Sequence, residues 1–111
     1  MKFLAKAIAI AAQAHAGQFQ RNGMPYILHP LHVMRQVQKH ATVEGAWDLE
    51  IMMCIAVLHD VLEDTQVTET QIYGYLYNID NENLTTTSRH NIVNYIIRGV
   101  EAMTKREGEK Y

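Results

Sequence analysis

The chain has a single cysteine, Cys54, among its 111 residues. An intrachain disulfide is therefore excluded, and a lone thiol inside an apolar run reads as buried and inert. Charge is sparse and balanced: charged residues make up 20% and the formal net charge is −2. That rules out the basic field of a nucleic-acid-binding surface. A phosphate-bearing ligand would need neutralisation by an ion or by a few basic side chains. No uninterrupted apolar run approaches the ~18 residues of a membrane helix, so no membrane partner is expected. The apolar start, residues 1–14, carries Lys2 and Lys6 and superficially resembles a signal peptide. Its amphipathic Ala-Ile-Ala pattern, ending in Gln13 and His15, reads instead as a first helix, and a cytoplasmic location follows. There is no strand pattern and no internal repeat.

What is present is an ordinary apolar fraction, 48%, enough for one domain with one core. Residues 2–15 are rich in Ala with Leu4, Ile8 and Ile10 on a buried face, and Gly17 is a stop signal. His15 sits near that negative helix end, where a cation-leaning side chain fits. Residues 18–28 form a loop marked by Asn22-Gly23 and Pro25. Pro30 suits a helix start, so a second helix runs from there to about His40, with His29 held at its edge. His32 and His40 fall on a solvated face. Asp48 is a candidate cap for a central helix over residues 48–63 that is apolar almost all round and so belongs inside a bundle. Thr68 caps a short helix to about Leu76. Residues 78–88 are polar and turn-rich, a surface loop or a lid over a site. Ser88 or Thr87 caps a last helix over residues 89–104, with apolar residues at helical spacing. The expected architecture is an all-α bundle of about five or six helices.

The stretch Leu58-His59-Asp60-Val61-Leu62-Glu63-Asp64-Thr65 is the chemical focus. It ends the run IMMCIAVL, which is normally buried, so its four ionisable groups are costly unless compensated. A divalent ion is the natural compensation, since imidazole nitrogen and carboxylate oxygen together suit Mn, Fe or Zn. Adjacent helical residues diverge by roughly 100°, letting His59 and Asp60 approach one ion from two sides. Glu63, three residues after Asp60 and four after His59, shares their face on a continuous helix. A carboxylate beside an ion is well placed to take or give a proton.

These pieces resemble a known family. Ala14-His15-Ala16-Gly17-Gln18, then Gly23-Met24-Pro25-Tyr26-Ile27-Leu28-His29-Pro30-Leu31, then the stretch from Leu58 to Thr65, and finally Val100-Glu101-Ala102-Met103-Thr104-Lys105 are similar, in order, to the HD-domain phosphohydrolases. Within these they resemble the RelA/SpoT-type alarmone hydrolase domain and its small stand-alone relatives. The resemblance implies an all-α HD fold and a bound Mn²⁺ or another divalent ion, with His29, His59 and Asp60 as ligands. It implies catalytic roles for Glu63 and Asp64. The implied reaction removes the 3′-pyrophosphate of the nucleotides ppGpp and pppGpp, with water activated at the ion. It implies substrate-binding roles for Arg21 and Lys105.

The chain departs from the family pattern in three ways. The family's fourth ligand is an Asp on a later helix, in a segment like L-A-D-R-x-x-N. The chain ends at Tyr111 before such a segment, and neither Asp48 nor Asp80 has its context. The expectation is a single HD-type domain over residues 1–111 that lacks its C-terminal helices, or whose gap is filled by a neighbouring copy in a homo-oligomer. Where the family has a basic pair before the Gly-x-Pro-Tyr segment, this chain reads Gln20-Arg21. The connection around residues 73–90 is longer than in the alarmone enzymes. Two alternatives therefore stand beside the leading reading: an HD hydrolase of another phosphorylated nucleotide, and a non-catalytic bundle that binds a nucleotide or a protein partner.

Overall fold

The structure, a computed structural model, describes residues 1–42, 45–80 and 83–104. Six helices follow in order: α1 Lys2–Ala14, α2 Leu28–His40, α3 Ala46–Leu58, the single turn α4 Val61–Asp64, α5 Glu69–Tyr77 and α6 Thr86–Met103. Among the described residues there is no strand, only an isolated bridge pairing Phe19 with Pro25. The all-α expectation is borne out. None of these helices is long and apolar enough to cross a membrane.

α3 takes the centre because it has no polar face to offer solvent along most of its length. Met53, Cys54, Ala56, Val57 and Leu58 are all buried, and the helix packs against α1, α2 and α6. α1 contributes Phe3, Leu4, Ala7, Ile10 and Ala11 to the same core, and α6 contributes Val93, Ile96, Ile97 and Val100. α3 and α6 approach closely at Gly99, where a Cβ would run into the Ile55 side chain. α5 closes the bundle over α1 and α6.

The caps show which boundaries local chemistry decides. Thr68 begins α5 with a reciprocal pair: its hydroxyl accepts from the Gln71 amide, and the Gln71 side chain accepts from the Thr68 amide. This agrees with the expected start. α6 begins earlier than expected, because Thr85 rather than Thr87 or Ser88 accepts from the amide three residues on. α2 begins at Leu28, with Pro30 inside the first turn, where a missing amide hydrogen costs nothing. α3 begins after Gly45, so Asp48 lies in the first turn and is not the cap.

Two corrections bear on the site. The central helix is not continuous to Glu63; it stops at Leu58. The His59 Nδ1 lies 2.6 Å from the Ala56 carbonyl, the acceptor that a continuous helix would give to the amide of residue 60. His59 and Asp60 therefore occupy a corner between α3 and α4. Secondly, the described start of the 78–88 connection lies away from the site, not over it. The Lys2 ammonium donates to the Asp80 carbonyl at 2.7 Å, which fixes this connection at the start of α1. The His59–Asp60 corner lies near the other end of that helix, about 20 Å away along its axis. Arg89 also secures the connection, donating to the Tyr77 and Ile79 carbonyls.

Candidate metal centre

Three segments meet at the corner. α1 ends at Ala14, and Gly17, at φ 85°, turns the chain back in a conformation that glycine adopts without strain. A tight loop follows, in which the Gln20 amide donates to the Met24 carbonyl and the Tyr26 amide to the Gln18 carbonyl. Arg21 is exposed in its turn. The loop delivers Tyr26 and His29 beside His59 and Asp60.

Among the described residues, His29, His59 and Asp60 form the group whose ligand atoms converge, all within 4.8 Å of one another. His59 Nε2 lies 3.1 Å from Asp60 Oδ1, and His29 Nε2 lies 3.7 Å from Asp60 Oδ2. The side chains of His59 and Asp60 are only 15% and 14% exposed, while that of His29 is 46% exposed. The tautomer of His59 follows from its neighbour. The Ala56 carbonyl can only accept, so Nδ1 carries the hydrogen, and in the neutral ring Nε2 turns its lone pair toward the Asp60 carboxylate. In that form two acceptors face each other at 3.1 Å, an arrangement that a cation between them completes. Atoms that ligate one such ion at about 2.0–2.2 Å stand roughly 3–4 Å apart, so small side-chain rotations close this group on it. The donor set, two imidazoles and a carboxylate, fits a divalent transition ion.

The Tyr26 hydroxyl donates to Asp60 Oδ2 at 2.7 Å and lies 3.5 Å from Asp64 Oδ2. Burial first, then the hydrogen bond and charge of Asp60 with Asp64 behind it, push the Tyr26 phenol far above its ordinary value of 10.0. It therefore remains a donor at every ordinary pH. Sequence reasoning missed this residue's contact, although an aromatic ring with a polar tip three positions before His29 was a usable signal. His15 also differs from its expected role. It is 2% exposed and packs against Tyr26 with the rings tilted at 45° and their centroids 4.7 Å apart, instead of answering the helix end from an exposed position.

Glu63 and Asp64 lie in α4 and are exposed, outside the converging group. The break after Leu58 removes the shared-face argument for Glu63, because that argument assumed one continuous helix. His32 and His40 are exposed on α2, as expected. Asp48 and Asp80 are both away from the corner: the first lies in the opening turn of α3, and the second neighbours Lys2. Lys105 lies outside the described residues. A groove of about 710 Å³ runs between α1 and α5 past Lys6, Gln13 and Tyr75, and it meets the site only at Gln18 and Asp64.

A small helical bundle with a His-His-Asp corner is thus the class that the fold and site define. Sequence comparison makes this more specific. The chain is 42% identical over 72 residues to the guanosine-3′,5′-bis(diphosphate) 3′-pyrophosphohydrolase of Borreliella burgdorferi, a match covering 64% of this chain and 10% of that protein. It is 47% identical over 64 residues to the enzyme of the same name from Haemophilus influenzae, covering 57% of this chain and 8% of that protein. It is 41% identical over 68 residues to the bifunctional (p)ppGpp synthase/hydrolase SpoT of Escherichia coli, covering 61% of this chain and 9% of that protein. The resemblance drawn from the motifs is borne out by these matches. The chain spans about a tenth of the length of the curated relatives it matches. No protein-family model matches the chain, and no solved structure does.

Proposed function

We propose that this chain carries the metal-binding corner of an HD-type hydrolase that removes the 3′-pyrophosphate of ppGpp and pppGpp. The observation that carries the proposal is the meeting of three lone-pair-bearing groups, His29, His59 and Asp60, at a partly buried corner. The printed names of the relatives give the substrate class. A divalent ion, Mn²⁺ in our reading, supplies Lewis-acid activation of water and a counter-charge for the phosphates. His29, His59 and Asp60 would hold it. Glu63 and Asp64, one turn beyond Asp60, take and return the proton of the attacking water. Arg21, on the exposed turn, pairs with phosphate or stacks on the base, and Lys105 is the further substrate-binding cation that the resemblance implies. The nucleotide is a small soluble one, and the setting is the cytoplasm.

The test is a substrate panel with Mn²⁺ at the purified chain. Release of pyrophosphate from ppGpp is the expected result, with Glu63→Ala keeping the ion and losing turnover by about 10²–10⁴-fold. Orthophosphate from another nucleotide would replace the alarmone by that substrate. Nucleotide binding without turnover would leave a binding module.

A further inference from the structure

The Ala14–Gln18 segment has no part in the chemistry above, yet it is built more tightly than a helix end requires. The Gln18 side chain is used at both ends. Its Nε2 donates to the Asp64 carbonyl at 2.9 Å, and its Oε1 stands 2.9 Å from His15 Nδ1. The Asp64 carbonyl can only accept, so the amide nitrogen must face it, and the amide oxygen then accepts from His15. His15 Nδ1 therefore carries a hydrogen and Nε2 is the bare edge of the ring. That edge is buried with no hydrogen-bond partner. Burying it is costly, and a leucine would fill the space without that cost. What the imidazole provides is a fixed plane. Anchored through Gln18 to α4, it backs the Tyr26 ring, whose hydroxyl holds Asp60 Oδ2. The Tyr26 amide also donates to the Gln18 carbonyl at 2.9 Å, so Gln18 fixes this tyrosine through its backbone as well.

The contacts close a circuit: Asp60 to Tyr26, Tyr26 to His15, His15 to Gln18, and Gln18 to Asp64, four residues beyond Asp60. We propose that His15, Gln18 and Tyr26 are a clamp that sets the orientation of the Asp60 carboxylate for ion binding. Tyr26 is the positioning residue, and the other two position Tyr26. With Oδ2 held by the phenol, rotation of the carboxylate is blocked and Oδ1 stays toward His59 Nε2. Partners that orient a ligand in this way characteristically change ion affinity by about 10–100-fold. The inference rests on the ion site proposed above.

The two ideas separate in one set of titrations on the full chain, with Mn²⁺ binding followed by calorimetry and Co²⁺ binding by its visible absorption. Wild type binding neither ion would overturn the ion site and the clamp together. With wild type binding, Tyr26→Phe is expected to weaken Mn²⁺ about 10-fold and to alter the Co²⁺ spectrum, while keeping the helical circular dichroism. Gln18→Met is expected to weaken binding less. The double variant should match Tyr26→Phe alone, because both changes act through one carboxylate. Wild-type affinity and an unchanged Co²⁺ spectrum in Tyr26→Phe would overturn the clamp and leave the ion site standing. If Tyr26→Phe does not fold, Gln18→Met decides: wild-type affinity in that variant also overturns the clamp.

Discussion

The two ends of α1 place polar groups inside an apolar bundle, and they do so differently. At its start, Glu50 is 4% exposed and its carboxylate accepts from the Leu4 amide at 3.0 Å. Met1 offers no side-chain cap, so a carboxylate from α3 serves one of the unpaired amides of the first turn. Donor meets acceptor, and the contact is complete within the fold. At its end, the chain of contacts through His15, Gln18 and Tyr26 leads to Asp60, where a carboxylate faces two imidazole nitrogens. There one donor, the Tyr26 hydroxyl, is in place on Oδ2, and toward neutral imidazoles acceptor meets acceptor, which a cation completes. A buried carboxylate is structural where its partners are donors already in place. It marks a binding site where its neighbours are further lone pairs.

This contrast can be broken by substitution at each end. Asp60→Ala or His59→Ala should have the largest effect, lowering Mn²⁺ affinity beyond the roughly 10–100-fold caused by losing a supporting residue. Metal-free stability should fall by only about 0.5–1.5 kcal/mol by urea unfolding, the net worth of the one part-buried hydrogen bond lost, from the Tyr26 hydroxyl or to the Ala56 carbonyl. Glu50→Ala should show the reverse. It strands the Leu4 amide in the core and should cost about 1–3 kcal/mol in the same unfolding assay, with Mn²⁺ affinity unchanged.

Cys54 sharpens the comparison through pH, since it shares α3 with Glu50. Burial, helped by the charge of Glu50, pushes its thiol above the ordinary value of 9.0. A raised folded value means that the stabilisation is fully present below the unfolded value and is lost as pH rises past it. Unfolding free energy should therefore fall above pH 9 by up to about 1.4 kcal/mol per pH unit from this group. Cys54→Ala should remove that part of the alkaline slope. The smallest effect belongs to the packing of α6 on α3. Gly99→Ala gains about 1 kcal/mol in helix propensity, but its Cβ meets Ile55 and overpacking costs about 1–3 kcal/mol. A net loss near 1 kcal/mol is expected, and an Ile55→Ala background should turn it into a gain.

Much of the bundle was legible in the sequence, because helical periodicity and the Thr68 cap are local signals. The three converging residues were legible as well, because residue type and motif spacing point to them without coordinates. What was hidden depends on contacts across the fold. The break after Leu58 arises from the His59 imidazole and the Ala56 carbonyl, a competition that helix propensity does not register. The burial of Glu50 was invisible because its donor lies 46 residues away. By composition the 78–88 connection read as a surface loop that could also have covered a site, and only the tie of Asp80 to Lys2 places its described start at the far end of α1. Tyr26 was quoted in a motif, but its work on Asp60 spans 34 residues of chain.

The central claim is that one cation binds between His29, His59 and Asp60. Substoichiometric Mn²⁺ added to the chain, with the histidine ring protons followed by NMR, tests it directly. The account predicts the strongest broadening at the His29 and His59 signals, falling off with distance so that His40, at the far end of α2, is affected least. Equal broadening of the four, or broadening strongest at His32 or His40, would contradict it.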